Sequence, residues 1–358
     1  MNRQLSPFEK RQAEKQRLAA RRRARQRKRL IGFFVLFLVF AVFVTAVVFI
    51  IRSVSWDALF GQVAQKGRSP SDGNLLYGPE LSYYDPLEAT TEYVTVPHDA
   101  IYQGELILVN AKTPFHFELW EEPCSVYDYK TASYSVRDKN IRLSRTTIDA
   151  LNRFFDAFAK ATGVNDLMIN SAYRSKEEQQ QVWDDYLRDY GEEYTRQYVS
   201  VPGFSEHHSG LAMDVATYNA RGITAVRNEG SYAWLYENMA QYGFILRYPQ
   251  NKTVQTGINF ESWHFRYVTI PHALLISEQN YCLEEYLDYI RIYTYEGAHA
   301  KVSAADGTNY AIYFYEATDA VQQQIPVPKG VTYQILGNNT DGFLISYQVL
   351  ASVQEGQS

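Results

Sequence analysis

Cysteine is nearly absent from this chain: 358 residues carry only two. That excludes a disulfide-dense scaffold, a Cys-based zinc finger and an iron–sulfur centre. No low-complexity segment and no repeat of solenoid length is found. With 46% hydrophobic residues, 20 Gly and 12 Pro, a mainly disordered or collagen-like chain is excluded as well. At roughly 150 residues per domain, the length allows about two to three folded units.

Acidic residues are scarce at one end and abundant everywhere else. Residues 1–29 hold 12 Lys/Arg against only Glu9 and Glu14, a net of +10. The remainder holds 23 Lys/Arg against 38 Asp/Glu, a net of −15, so the overall −5 describes neither part. Charge is then missing altogether from residues 30–51, LIGFFVLFLVFAVFVTAVVFII, a run of 22. As a helix such a run is about 33 Å long, close to the thickness of the hydrocarbon core. RRRARQRKR abuts its N-terminal side, which by the positive-inside rule places the N-terminus in the cytoplasm and the acidic bulk outside. The basic run stops where the apolar run begins. This favours a role in topology and lipid contact over nucleic-acid binding. The apolar run is longer than a signal-peptide core, and no clear small-residue cleavage site follows. The expectation is a single-pass cell-membrane protein: a basic cytoplasmic tail (1–29), an uncleaved transmembrane anchor (30–51) and an extracellular remainder.

Residues 52–90 carry Gly, Ser, Pro and Asp punctuation and read as a stalk. A globular unit is expected over 91–290 and a small β-rich unit over 291–358. In the first, GELILVN (104–110) reads as a strand. SRTTIDALNRFFDAFAKATG (144–163) reads as a helix capped by Ser144 and ended by Gly163, with Ile148, Leu151, Phe154, Phe155 and Phe158 on its apolar face. A strand running into a loop over 166–175, helices over 176–191, 232–243 and 272–290, and strands at FILRYP and 263–268 complete it. Without regular βαβ alternation this is α+β. The strands YAIYFYEA (310–317), VTYQILG (331–337) and GFLISYQVL (342–350) make the appendage all-β.

Two segments concentrate histidine and carboxylate: SEHHSGLAMDV (205–215) and ESWHFRYV (261–268). In the first, Ser209-Gly210 supplies a turn between His207 and Asp214. In the strand after it, Leu211, Met213 and Val215 share one face, and Asp214 shares the other with Ala212 and Ala216. A buried Asp among small residues is costly unless paired or metal-bound. His208 is a rival ligand whose ring would diverge from that of His207. In the second segment, a bend near Ser262 would bring Glu261 and His264 to one site. His, Asp and His leave a fourth zinc position for water, and a free carboxylate beside it can move the proton. Each pattern alone is common in random chains. Their combination with SAYRS (171–175) is not.

SAYRS, SEHHSGLAMDV and ESWHFRYV, in this order and spacing, resemble the D-Ala-D-Ala metallopeptidases of the LAS group. NMAQYGFILRYP (238–249) and TGINFESWHFRYV (256–268) resemble its VanY branch in particular. The resemblance covers about 105–290. It implies a small α+β fold with a central antiparallel sheet flanked by helices, and one Zn²⁺ held by His207, Asp214 and His264. It implies Glu261 as catalytic base and Arg174 as the oxyanion-stabilising arginine, with Ser205 and Gln179 touching substrate. The implied reaction is removal of the C-terminal D-alanine from peptidoglycan stem peptides. L,D-carboxypeptidase, wall endopeptidase and non-catalytic wall-binding roles are the alternatives. Ala172 departs from the glycine common at that position. His98, His116, His272 and His299 read as packing or surface residues. Cys124 and Cys282 either pair or remain reduced; a disulfide closing so long a loop would stabilise by up to roughly 5 kcal/mol.

Overall fold

The computed structural model describes residues 91–117, 119–220 and 222–349, which lie within one compact unit. The expected tail, anchor and stalk fall outside the described residues. Among those described, no helix is long and apolar enough to cross a membrane.

The strands are β1 (Thr91–Pro97), β2 (Cys124–Ser125), β3 (Tyr134–Val136), β4 (Arg142–Leu143), β5 (Leu167–Ser171), β6 (Ala212–Asn219) and β7 (Gly222–Ala225). They continue as β8 (Phe244–Leu246), β9 (His264–Tyr267), β10 (Ala300–Ser303), β11 (Asn309–Glu316), β12 (Gln322–Pro328), β13 (Tyr333–Gly337) and β14 (Gly342–Val349). The helices are α1 (Val126–Tyr129), α2 (Arg145–Thr162), α3 (Lys176–Tyr190), α4 (Glu192–Tyr198), α5 (Ala233–Asn238), α6 (Thr253–Thr256), α7 (Ile270–Gln279) and α8 (Leu283–Ile290).

The central sheet runs β3-β5-β6-β9-β8, with β7 paired to β6. Its pairs are antiparallel except β3–β5, which is parallel, so the expected all-antiparallel sheet is corrected at one edge. Helix α2 lies where its pattern puts it. The Ser144 hydroxyl accepts from the Thr147 N–H, and Gly163 closes the helix in the left-handed conformation at φ 71°. Its Leu151, Phe154, Phe155 and Phe158 are fully buried in one cluster with Leu167, Ile169, Met213, Val215 and Phe265 of the sheet. That cluster is the floor behind the site.

A second core joins α7 and α8 to the C-terminal strands through Leu274, Leu283, Leu287, Ile312 and Leu344. Strands β10-β11-β14-β13 form an antiparallel sheet, while β12 pairs with β1, the first described strand. The C-terminal strands are thus tied to the N-terminal end of the described chain.

Three expectations are corrected. GELILVN is buried but is not a strand. Its carbonyls at Glu105 and Ile107 accept from the Arg266 guanidinium, and the Leu108 carbonyl accepts from the Asn339 side chain. Backbone groups satisfied by side chains need no neighbouring strand. The helix expected over 272–290 is two helices, because Asn280 turns left-handed at φ 52° and ends α7. The helix expected over 232–243 tightens after Asn238 into a 3₁₀ turn before Gly243 stops it at φ 85°. Cys124 and Cys282 are both free thiols.

Candidate active site

The site is assembled at one face of the central sheet, where β5, β6 and β9 meet the turn before β6. Glu206–Ser209 form a single 3₁₀ turn capped by Ser205, whose hydroxyl accepts from the His207 N–H. Gly210 then reverses the chain at φ 72°; a Cβ there would stand 3.2 Å from the Ser144 nitrogen, which donates to the Gly210 carbonyl. Only glycine fits both demands. Beyond it, the alternation in β6 buries Leu211, Met213 and Val215 in the core, and Asp214 takes the other face between buried Ala212 and Ala216. Asp214 is the direct register partner of His264 in β9. The turn at Ser262–Trp263 swings Glu261 back, so that its carboxylate lies 3.7 Å from Nδ1 of His264.

The separations suit a metal. Asp214 presents Oδ1 to His264 Nδ1 at 3.3 Å and Oδ2 to His207 Nε2 at 3.6 Å. The three candidate ligand atoms all lie within 4.8 Å of one another. Bonds of about 2.0–2.2 Å to a tetrahedral Zn²⁺ would set such ligands roughly 3.3–3.6 Å apart. Asp214 Oδ1 is buried with no hydrogen-bond partner, an expensive state that a cation would relieve. The His207 ring is committed to this geometry: its Nδ1–H donates to the Ala172 carbonyl at 2.6 Å, leaving the Nε2 lone pair toward Asp214. Burial, with Arg174 nearby, holds the His207 pKa well below the usual range, so the ring is neutral and able to ligate. Burial opposes charge on Asp214, yet His207 and His264 bring its pKa down to about 2.

Glu261 and Arg174 complete the cavity wall. Burial pushes the Glu261 carboxyl up to about 8; Asp214 pushes the same way, while His264 and Arg174 pull it down. A carboxyl raised that far is a natural proton carrier near neutral pH. Burial lowers the Arg174 pKa against the pull of Asp214 and Glu261, and its Nε has no partner. The Arg174 backbone is clamped twice. Its N–H donates to the His207 carbonyl at 3.1 Å, and its carbonyl accepts from His208 Nδ1–H at 2.7 Å. The other nitrogen of His208 accepts from the Gly203 N–H at 3.0 Å. Both ring nitrogens of His208 are therefore used, and the rival ligand is a brace for Arg174. Ser205 and Gln179 also line this cavity of about 410 Å³; the Gln179 amide donates to the Ser200 carbonyl at 2.7 Å and leaves its buried oxygen unpaired.

Sequence reasoning missed a buried charge network directly behind His264. Glu206 is fully enclosed and accepts from Arg247 at 2.7 Å and Arg266 at 2.6 Å. Arg247 also pairs with Glu284 at 2.7 Å. Burial opposes charge on Glu206, but the two arginines hold its pKa far below the usual carboxylate range. The only local signal was a carboxylate set between Ser205 and His207. Tyr248, whose ring stands 4.8 Å from that of His264, was missed too.

A family model described as VanY, D-alanyl-D-alanine carboxypeptidase, matches residues 140–270. A D-alanyl-D-alanine carboxypeptidase of Enterococcus faecium is 35% identical over 259 residues, covering 72% of this chain and 79% of that protein. The bifunctional D-Ala-D-Ala dipeptidase and carboxypeptidase VanXYC of Enterococcus gallinarum is 40% identical over 141 residues, 38% of this chain and 74% of that one. Among solved structures, the vancomycin-resistance D,D-dipeptidase VanXYg with a D-Ala-D-Ala phosphinate analogue superposes with a TM-score of 0.64. It is 31% identical, and the match covers 73% of this chain and 100% of that one.

Proposed function

This chain belongs to the VanY family of D-alanyl-D-alanine carboxypeptidases, and we propose that it trims the terminal D-alanine from peptidoglycan stem peptides at the outer face of the cell membrane. It is a zinc-dependent hydrolase of that family. The observation that carries the reading is the convergence of His207, Asp214 and His264 with Glu261 and Arg174 in one cavity. The first three residues would hold Zn²⁺, which when bound would serve as a Lewis acid and lower the pKa of a water.

The chain's own groups do the rest. Glu261 takes the proton of the attacking water and passes it to the amine of the departing D-alanine. Arg174, held by its two backbone clamps, offers a planar fork to the oxygen that turns negative. Ser205 and Gln179 line the same cavity and contact the peptide. Residues 30–51 anchor the protein with its basic tail in the cytoplasm, a reading supported by the +10 segment that ends where the uncharged run begins.

The test is D-alanine release from a pentapeptide stem ending in D-Ala-D-Ala and from the matching tetrapeptide, with zinc and with a chelator. Release from the pentapeptide alone, abolished by the chelator, is expected. Release from the tetrapeptide instead would make the enzyme an L,D-carboxypeptidase. Zinc binding with release from neither would defeat the carboxypeptidase reading.

A further inference from the structure

Four tyrosines follow one another along α3 and α4 at every fourth position: Tyr186, Tyr190, Tyr194 and Tyr198. Their rings stand in series, with centroids 5.3, 5.0 and 4.7 Å apart. The series survives a break in the helix. Gly191, at φ 83°, ends α3 and starts α4, yet the Tyr190 and Tyr194 rings stay in contact across it. These rings are not core. Tyr186 is 37% exposed, Tyr190 61% and Tyr194 42%. Pairs at this spacing stabilise a helix by only a few tenths of a kcal/mol each. A contiguous run of exposed aromatics is the kind of surface that marks a binding site.

The row is continuous with the catalytic cavity. Tyr186, Tyr194 and Tyr198 are part of the wall that also holds Arg174, His207 and Glu261, while Tyr190 stands outside it. A ligand leaving the cavity along this wall therefore passes over the rings. The exposed positions between them are mostly charged, Arg188, Asp189, Glu192, Glu193 and Arg196, with Leu187 the one exposed aliphatic side chain. This surface suits a flat, hydroxyl-rich ligand better than an apolar helix. A pyranose offers C–H bonds on one face to the negative face of an aromatic ring. Its hydroxyls can pair with the phenols at the ring tips.

We propose that this tyrosine row is a platform for the glycan to which the stem peptide is attached. The proposal rests on the carboxypeptidase reading above and adds the substrate class: the glycan-linked stem rather than the free peptide. The four stem residues before the scissile bond span about 14 Å when extended, which sets how far from the reacting bond the sugar sits.

The test compares kcat/KM for D-alanine release by the full-length chain from free pentapeptide and from the same pentapeptide on an uncross-linked glycan oligomer. Tyr190→Ala is the main variant, and Tyr93→Ala, at an exposed tyrosine of β1, is the control. Tyr190→Ala is expected to lower kcat/KM on the glycan-linked substrate about tenfold, the scale of one lost ring contact, and to leave the free peptide within about twofold. Thermal melting checks that the variant is folded. Equal losses on both substrates, or loss on neither, would overturn the proposal. Titration of both proteins with the glycan oligomer lacking its peptide keeps the two readings apart. If the unaltered enzyme cleaves neither substrate, the carboxypeptidase reading fails, while oligomer binding weakened by Tyr190→Ala still upholds the platform and its absence removes it.

Discussion

Glu206 faces His264 from behind: its Oε2 lies 3.6 Å from Nε2, the nitrogen opposite the Nδ1 that faces Asp214. Neither Oε2 nor Nε2 has another partner. The carboxylate itself cannot swing away, because Arg247 and Arg266 hold its other oxygen. A buried, fixed acceptor at this place selects the His264 tautomer that carries its proton on Nε2 and offers Nδ1 as a ligand.

Replacing Glu206 with Gln should therefore weaken zinc binding about 10- to 100-fold, the usual cost of losing the partner behind a histidine ligand. Glu284→Gln is the control. It also deprives Arg247 of a carboxylate, but Glu284 does not face His264. Competition with a zinc chelator reads the affinity, and melting reads the damage to the fold. If both variants lose zinc equally, the effect is general loosening and Glu206 does not orient the ring.

Glu261 is placed to move a proton without being needed to hold the metal. Glu261→Gln keeps the size of the side chain and one carbonyl oxygen but cannot accept a proton. Hydrolysis of a D-Ala-D-Ala peptide should fall by about 10²- to 10⁴-fold, with zinc content unchanged. Metal analysis alongside the rate decides the matter: a variant that is slow because it is empty would make Glu261 a ligand.

Much of this site was legible because it is written in short local segments. His207, Gly210 and Asp214 sit within one turn and strand, and Glu261 and His264 flank one bend. Ser144 and Gly163 marked both ends of α2 for the same reason. What escaped depends on partners far away in the chain. GELILVN looked like a strand, but its carbonyls are taken by Arg266, some 160 residues on. Glu206 meets Arg247 and Arg266 at separations of 41 and 60 residues. β1 pairs with β12 across the whole catalytic region of the sequence. The break at Asn280 was missed for a different reason. A local signal was there: Ser277–Asn280 are polar and exposed and interrupt the apolar pattern, and the helix ends where Asn280 turns left-handed.

Arg174 is expected to act on the transition state more than on the bound peptide. Arg174→Lys keeps the charge but loses the planar fork. The loss of one oxyanion donor costs about 10²- to 10³-fold in kcat, so kcat should fall on that scale with KM moving far less. Steady-state kinetics on one dipeptide-terminated substrate separate the cases. A raised KM with kcat intact would instead make Arg174 a ground-state anchor for the peptide carboxylate.

The acid limit of stability should carry the mark of His272, which lies away from the metal site at the start of α7. Its ring is fully buried, one nitrogen bonded to the Tyr286 hydroxyl and the other without a partner. Burial lowers its pKa from 6.5 to about 3. The folded state therefore binds fewer protons than the unfolded state between these values. The contribution to stability is complete above pH 6.5 and drains away as the pH falls toward 3, by roughly 5 kcal/mol in all. His272→Gln cannot be protonated in this range, so its urea midpoint should be lower near neutrality but fall less steeply between pH 6.5 and 4. Asp214 and Glu206 steepen the acid limb in both proteins and leave the difference between them to His272. Parallel curves for the two proteins would mean that His272 binds its proton alike in the folded and unfolded states, and that the acid limb belongs to the carboxylates alone.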